Sequence, residues 1–328
     1  MNKVRLRKPY DMHVHLRDGE MFKKVHRFTT DKCAGGVVMG NLTPPLVTAG
    51  DVRCYRHMIN RSAPEFNAIV APMLTKSTTL DVVKELMADG TIVLKWIPGN
   101  TSTNSSTGVP LTEWEMYSEI FDFLQTNKIV LSWHLELTHS TADNKVLDEV
   151  EREAAAIPFL LALHKAFPRL KIVVEHASTA KMIQTVETLP DHVAATLTPH
   201  HAILTTADVL SDKKQVKLPF NYCKPIAKSE SDRQAVVQAM MSGNPKFFFG
   251  SDSAPHPASR KVGENVAAGI FSAPFALELI FQLFFRDGYH LFFQAFASEF
   301  GPRFYGIKPS EEFIELYVPN TIFPVIMI

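Results

Sequence analysis

Eight short apolar runs, each closed by polar or small residues and followed by a segment of helical spacing, occur at 11–16, 35–41, 67–74, 91–98, 129–136, 171–178, 193–201 and 247–255. This alternation limits the fold more than any other feature. Runs dense in Val, Ile and Phe suit parallel strands buried on both faces, and each parallel strand needs a long crossover, usually a helix, before the next. Eight such units match a closed (β/α)8 TIM barrel, and 328 residues fit one barrel domain spanning 1–328. The alternative is a doubly wound open sheet. It is weakened because no G-x-G-x-x-G or P-loop pattern follows the first run, and the Gly35-Gly36 pair opens a strand instead.

The segments between the runs carry their own punctuation. Gly90 sits where a helix C-cap is expected after TTLDVVKELMAD, and Pro158 falls inside a helical pattern that it can kink or restart. Two connections are long. Gly99–Thr112 is small and polar, which suits a mobile functional loop, and Thr205–Asp232, with Pro219 and Pro225, reads as an excursion over the barrel mouth. The nineteen positions from Ala267 to Phe285 are mostly apolar but hold Glu278, so they predict a buried helix, capped at Ser272 with Pro274 in its first turn, and not a membrane span. The apolar tail 319–328 has no evident packing partner.

Equal counts of 34 basic and 34 acidic residues argue against nucleic-acid binding, so an anionic ligand must be held locally. Three scattered cysteines, Cys33, Cys54 and Cys223, form no disulfide framework or C-x-x-C motif. Together with an N-terminus lacking an apolar signal region, they predict a cytoplasmic protein.

His13 and His15 lie two apart on the first predicted strand, so period two turns both imidazoles to one face. Alone, the pair reads equally as hydrogen-bonded core histidines. Lys95, His134, His176 and Asp252 stand near the C-terminal ends of four other runs, where barrel strands converge and catalytic groups collect. Mixed imidazole and carboxylate suits zinc or a related divalent metal. A neutral buried lysine can take up carbon dioxide and become a bridging carbamate; an ion pair with Asp252 is the plainer role for Lys95. Arg17 shares the parity of His13 and His15, and its planar fork suits a carboxylate, although a pair with Asp18 is open to it. Asn41 reads most simply as a cap or turn residue before Pro44.

The ordered series DMHVHLRDG, VVMGNLTPP, LKWIPGNTSTNSSTG, WHLELTH, VEHAS, TLTPHH, NYCKPI, GSDSAPH and AAGIFSAPFAL resembles the amidohydrolase superfamily, and within it the single-domain bacterial and fungal dihydroorotases. The resemblance covers nearly the whole chain. It implies two zinc ions, the more buried on His13, His15 and Asp252 and the other on His134 and His176, bridged by carboxylated Lys95 and a hydroxide. It implies Asp252 as the general base that becomes the general acid. It further implies Arg17, Asn41 and His256 on the substrate carboxylate, main-chain contacts at Lys224, Ala268 and Gly269, and a closing loop at Ser102 and Thr103. Two positions depart from the pattern: Ser102 stands where threonine is expected, and Lys224 is more polar than the usual residue before that proline.

The activity implied is the reversible cyclisation of N-carbamoyl-L-aspartate to L-dihydroorotate in pyrimidine synthesis, by a homodimer acting on a small molecule without nucleic-acid or membrane partners. Hydrolysis of another cyclic amide, such as a hydantoin, would use the same ligands but not the carboxylate set. A metal-free, partner-binding relative would lack a ligand, and none is missing.

Overall fold

The structure is a computed structural model that describes residues 2–318 apart from 264, 287 and 289. Strand β1 (Asn2–Arg7) precedes eight parallel strands, and β10 (Phe313–Val318) follows them. The eight are β2 (Tyr10–Val14), β3 (Gly35–Met39), β4 (Asn67–Ala71), β5 (Val93–Trp96), β6 (Val130–Trp133), β7 (Lys171–Val174), β8 (Val193–Leu197) and β9 (Phe247–Phe249). Each coincides with a predicted run but stops before its end. The remaining residues leave the ladder to form the rim, where most of the polar side chains sit, His13 and Lys95 lying within β2 and β5.

Strands β2-β3-β4 form one parallel sheet and β5-β6-β7-β8-β9 another. Main-chain bonds join the two at both seams. At one, the Lys95 N–H donates to Pro72 O (2.8 Å) and the Leu74 N–H to Lys95 O (2.7 Å). At the other, the Asp252 N–H donates to His13 O (2.8 Å) and the His15 N–H to Ser253 O (3.1 Å). The barrel is thereby closed, and residues expected to bind metal also form its seams.

Period two sorts the core. Met12, Val37, Met39, Ile69, Ala71, Val93, Val130, Val173, Ala194 and Phe248 share one interior cluster, whereas Val38, Val70, Leu94, Leu131, Ile172, Ala195 and Phe249 pack in the layer beneath the helices. An extra residue between Asp11 and Val14 shifts the register of β2 against β3. Beyond that bulge His13 and His15 turn inward while Val14 and Leu16 pack outside. The N-terminal end of the barrel is plugged by Phe304 and Tyr305 from the helix Phe300–Tyr305. Gly301 is required there, because a Cβ would lie 2.4 Å from Met12 Cγ.

Helices follow the strands at Gly19–Val25, Ala49–Ser62, Leu80–Ala88, Ser118–Thr126, Arg152–Ala166, Ala180–Thr188, Glu230–Met241 and Ala276–Arg286. Thr48 with Asp51 and Ser229 with Asp232 make capping boxes, and Thr79 and Thr179 accept single N-cap bonds. Gly90 at φ 85° ends its helix as expected, with the Thr91 N–H bonded to Leu86 O. One helix, Arg152–Ala166, carries through Pro158 without restarting.

Three features differ from the sequence reading or were absent from it. The Ser272 hydroxyl does not cap the following helix; it donates to Ser251 O at 3.0 Å, bracing the rim after β9. The 205–232 excursion is folded around its own cluster of Val209, Tyr222, Cys223 and Ile226. Strand β1 pairs antiparallel with β10, Val4 opposite Leu316 and Leu6 opposite Ile314, with Lys3 and Glu315 2.7 Å apart. Among the described residues no helix is long and apolar enough to cross a membrane. The tail 319–328 lies outside the described residues.

Candidate active site

The polar residues converge at the C-terminal ends of the strands. His13, His15, Arg17, Asn41, Lys95, Ser102, Thr103, His134, His176, Lys224, Asp252, Ala268 and Gly269 line one cleft. His256 stands at its edge, with Nε2 3.2 Å from Arg17 Nη2 and 2.9 Å from Ala268 O. Three of these positions take left-handed backbone, with φ 60° at Arg17, 44° at His176 and 42° at Asp252. Such conformations cost non-glycine residues roughly 1–3 kcal/mol each and persist only when surrounding structure enforces them.

His13 Nε2 lies 3.4 Å and His15 Nε2 3.2 Å from Asp252 Oδ1, and the ligating atoms of the three residues all fall within 4.8 Å of one another. Across the cleft, His134 Nδ1 and His176 Nε2 approach to 3.0 Å. Burial, reinforced by Lys95, holds His13 below its ordinary pKa. Burial, Arg17 and Lys95 do the same for His15, and burial with His134 for His176. These imidazoles are therefore in the neutral form that binds cations. Lys95, 1% exposed, lines the same cleft, and among the described residues its Nζ has no hydrogen-bond partner. Burial lowers its pKa to about 8, against the opposing pull of Glu175 and Asp252. An ion pair with Asp252, the plainer alternative, is not among the contacts formed by the described residues.

Two carboxylates that the sequence reading passed over complete the shell. Glu175 accepts from His13 Nδ1 (2.6 Å), from Thr196 Oγ1 (2.7 Å) and from Ser132 Oγ. Burial would raise its pKa, but His13, Lys95 and these donors together hold it near 2. Glu136 accepts from His134 Nε2 at 2.9 Å. Each fixes the tautomer and orientation of an imidazole, the usual role of a carboxylate behind a metal-binding histidine. The available signal was a glutamate inside an apolar run beside a candidate ligand, since glutamate is rarely fully buried without a partner. Burial pushes the Asp252 carboxyl up, with His13 and Lys95 opposing.

Arg17 does not pair with Asp18. Its Nε donates to Pro255 O at 2.9 Å, and among the described residues the guanidinium makes no ion pair although it is 9% exposed. Asn41 is no helix cap: its Nδ2 donates to Thr103 O (3.3 Å), and its main-chain carbonyl accepts from Asn104 Nδ2 (3.2 Å). Thr103 Oγ1 reaches Ala268 O at 3.2 Å, so the 99–112 loop lies docked over the cleft. Lys224 precedes a cis peptide bond to Pro225, and its ammonium is 3.6 Å from Glu149.

Among the remaining histidines, exposed His139 is bonded to Thr138 and stands away from the cluster. His201 fixes the 222–225 segment through Nε2 to Pro225 O (2.9 Å), with Nδ1 on Thr198 Oγ1 (2.8 Å). His200, His201 and Cys223 lie together and buried. Two of them already spend their ligating atoms on protein oxygens, the Cys223 thiol also meeting Pro225 O at 3.2 Å.

No protein-family model matches the chain. The chain is 39% identical over 331 residues to a dihydroorotase of Sphingopyxis alaskensis, covering 98% of this chain and 94% of that protein. It is 37% identical over 316 residues to the dihydroorotase of Saccharomyces cerevisiae, covering 92% and 84%. The crystal structure of dihydroorotase from Saccharomyces cerevisiae in complex with 5-fluoroorotic acid is similar at a TM-score of 0.88 and 34% identity, covering 94% of this chain and 86% of that one.

Proposed function

The chain belongs to the dihydroorotase family, hydrolases of cyclic amides in the amidohydrolase superfamily, and on that premise we propose that it interconverts L-dihydroorotate and N-carbamoyl-L-aspartate at a two-zinc centre. One observation carries the substrate assignment: a buried guanidinium, Arg17, lacks an anionic partner among the described residues and lines the same cleft as the histidine and aspartate cluster. A buried cation is retained at such cost where a ligand supplies the counter-charge. The carboxylate of dihydroorotate does so, held by the Arg17 fork with Asn41 and His256.

The residues fit a metal pair. His13, His15 and Asp252 would hold one zinc ion, His134 and His176 the other, and Lys95, carboxylated at its unpartnered Nζ, would bridge them. When bound, such a pair would supply a deprotonated water at neutral pH and would polarise the amide carbonyl. Asp252 takes the proton that the attacking water gives up and passes it to the leaving ring nitrogen. Glu175 and Glu136 keep His13 and His134 aimed throughout. Main-chain groups at Lys224, Ala268 and Gly269 meet the ring, while Ser102 and Thr103 close over it and exclude water. The 99–112 loop must open for exchange. Three free cysteines suit a cytoplasmic setting, and the exposed Leu291 and Phe292 suit a homodimer face.

Ring closure consumes one proton, so acid favours dihydroorotate and alkali the open acid. The equilibrium ratio should move about tenfold per pH unit. Measuring it near pH 6 and pH 8.5 with the zinc-loaded protein tests the reaction, and an unchanged ratio refutes it.

A further inference from the structure

One buried cation takes no part in this chemistry. Lys261 closes the short helix Ala258–Lys261 and is 2% exposed. Its Nζ donates to Ala267 O (2.8 Å), Gly269 O (2.8 Å) and Tyr222 O (3.2 Å). An ammonium has three N–H donors and no acceptor, so peptide oxygens occupy all of them. Among the described residues it has no carboxylate partner. Burial lowers its pKa to about 8, with Cys223 opposing.

The three acceptors belong to two segments that line the cleft, one leading to Lys224 and the other containing Ala268. Further bonds draw the same pieces together: Gly269 N–H to Tyr222 O (2.9 Å) and Ala267 N–H to Arg260 O (2.8 Å). Gly269, at φ 146°, passes so close to the rim that a Cβ would sit 2.4 Å from Ala254 O and 2.9 Å from the His256 ring. The peptide unit whose oxygen takes the Lys261 charge at Ala267 carries the N–H of Ala268. Hydrogen bonds in series polarise one another, so a charged donor at that oxygen makes the Ala268 N–H a stronger donor.

We propose that Lys261 is a positioning residue for substrate recognition, its ammonium knotting the 222–224 and 267–269 main chain into the shape that meets the substrate ring. The inference rests on the dihydroorotate reading above and deepens it. Without the ammonium, buried carbonyls at 267 and 269 lose their donor and must turn toward water, carrying Ala268 with them.

The test uses the full-length, zinc-loaded protein. Lys261→Met should raise KM for dihydroorotate about tenfold or more, the loss expected for a charged hydrogen bond, with kcat within about twofold of wild type. Bound zinc should be unchanged, and amide hydrogen exchange should quicken at 222–224 and 267–269 while the barrel strands keep their protection. Lys261→Gln, which retains two donors, should raise KM less, and it carries the test if the Met variant does not fold. An unaltered KM in a folded variant overturns the proposal, as does a loss of kcat and zinc in step with KM. Wild type assayed alongside separates the two readings: failure to turn over dihydroorotate defeats the underlying function as well.

Discussion

Replacing Arg17 with Met gives the sharpest test of substrate choice, because the side chain is similar in length and the lost group is well defined. The guanidinium is 9% exposed, donates Nε to Pro255 O, and makes no ion pair among the described residues. A substrate carboxylate seated on its fork would receive two charge-assisted bonds, each worth roughly 1.5–3 kcal/mol. Allowing for partial repair by water, the loss is about 3–5 kcal/mol, or roughly 10²- to 10⁴-fold in kcat/KM. The assay compares dihydroorotate with dihydrouracil, the same ring without the carboxylate. Arg17→Met should lose that factor on dihydroorotate and leave the slow turnover of dihydrouracil within about threefold. The free protein should gain rather than lose stability, since an unpaired buried cation has been removed; the urea midpoint measures this. Equal losses on both rings would refute the carboxylate role and shift the substrate toward uncharged cyclic amides.

Lys95→Ala should abolish activity and regain part of it with a short carboxylic acid plus zinc; full activity without rescue excludes the bridging carbamate. Asp252→Asn should lower kcat by several orders of magnitude if, as proposed, one group serves as ligand and proton carrier; metal analysis separates the two losses. For Glu175 the sign follows from its depressed pKa, about 2 against an ordinary 4.5. The stabilisation it provides is complete above the unfolded value near 4.5 and disappears as pH falls toward 2. Glu175→Gln in metal-free protein should therefore flatten the fall of urea midpoint across that acid window, and an identical slope would refute the assignment. Deleting residues 99–108 should spare zinc binding yet impair turnover, whereas unaltered kinetics would reduce the loop to a connection.

The barrel was legible because strand period and crossover length are local properties: each predicted run overlaps an observed strand. The convergence of the candidate ligands was legible for a related reason, since a barrel gathers strand ends whatever their separation in sequence. His13 and Asp252 meet because β2 and β9 form a seam. The missed features share a different physics. The β1 strand alternates Lys3, Val4, Arg5, Leu6, a period-two signal, but its partner β10 lies some three hundred residues away, so nothing local names the pairing. Ser272 has a good capping residue's chemistry, yet its hydroxyl is captured by the Ser251 carbonyl across the rim, a tertiary bond that overrides propensity. Glu136 and Glu175 were readable as buried carboxylates but not as partners of particular histidines, because ring orientation follows from side-chain packing alone.

The rim's chemistry and its strain have one origin. A regular parallel strand sends alternate side chains to opposite faces, so at most every second residue can enter the cleft. The chain breaks that rule at three points of the cleft. A bulge after Asp11 reverses the parity of β2 and turns His13 and His15 inward. Left-handed backbone at His176 and Asp252, φ 44° and 42°, redirects side chains just past the ends of β7 and β9. Neighbouring bonds hold each distortion: the Asp252 N–H to His13 O across the seam (2.8 Å), and the His176 N–H to Thr196 Oγ1 (2.6 Å). Glycine at either strained position would relieve the backbone but remove a candidate ligand, so the strain is inseparable from the side chain it aims. Thr196→Val isolates the effect without touching a ligand. It removes one acceptor for the His176 N–H and one donor to Glu175, so zinc affinity should fall roughly 10- to 100-fold, as for other supporting partners of metal ligands. Unchanged affinity by competitive chelation would show that the strained backbone at His176 is held by packing alone.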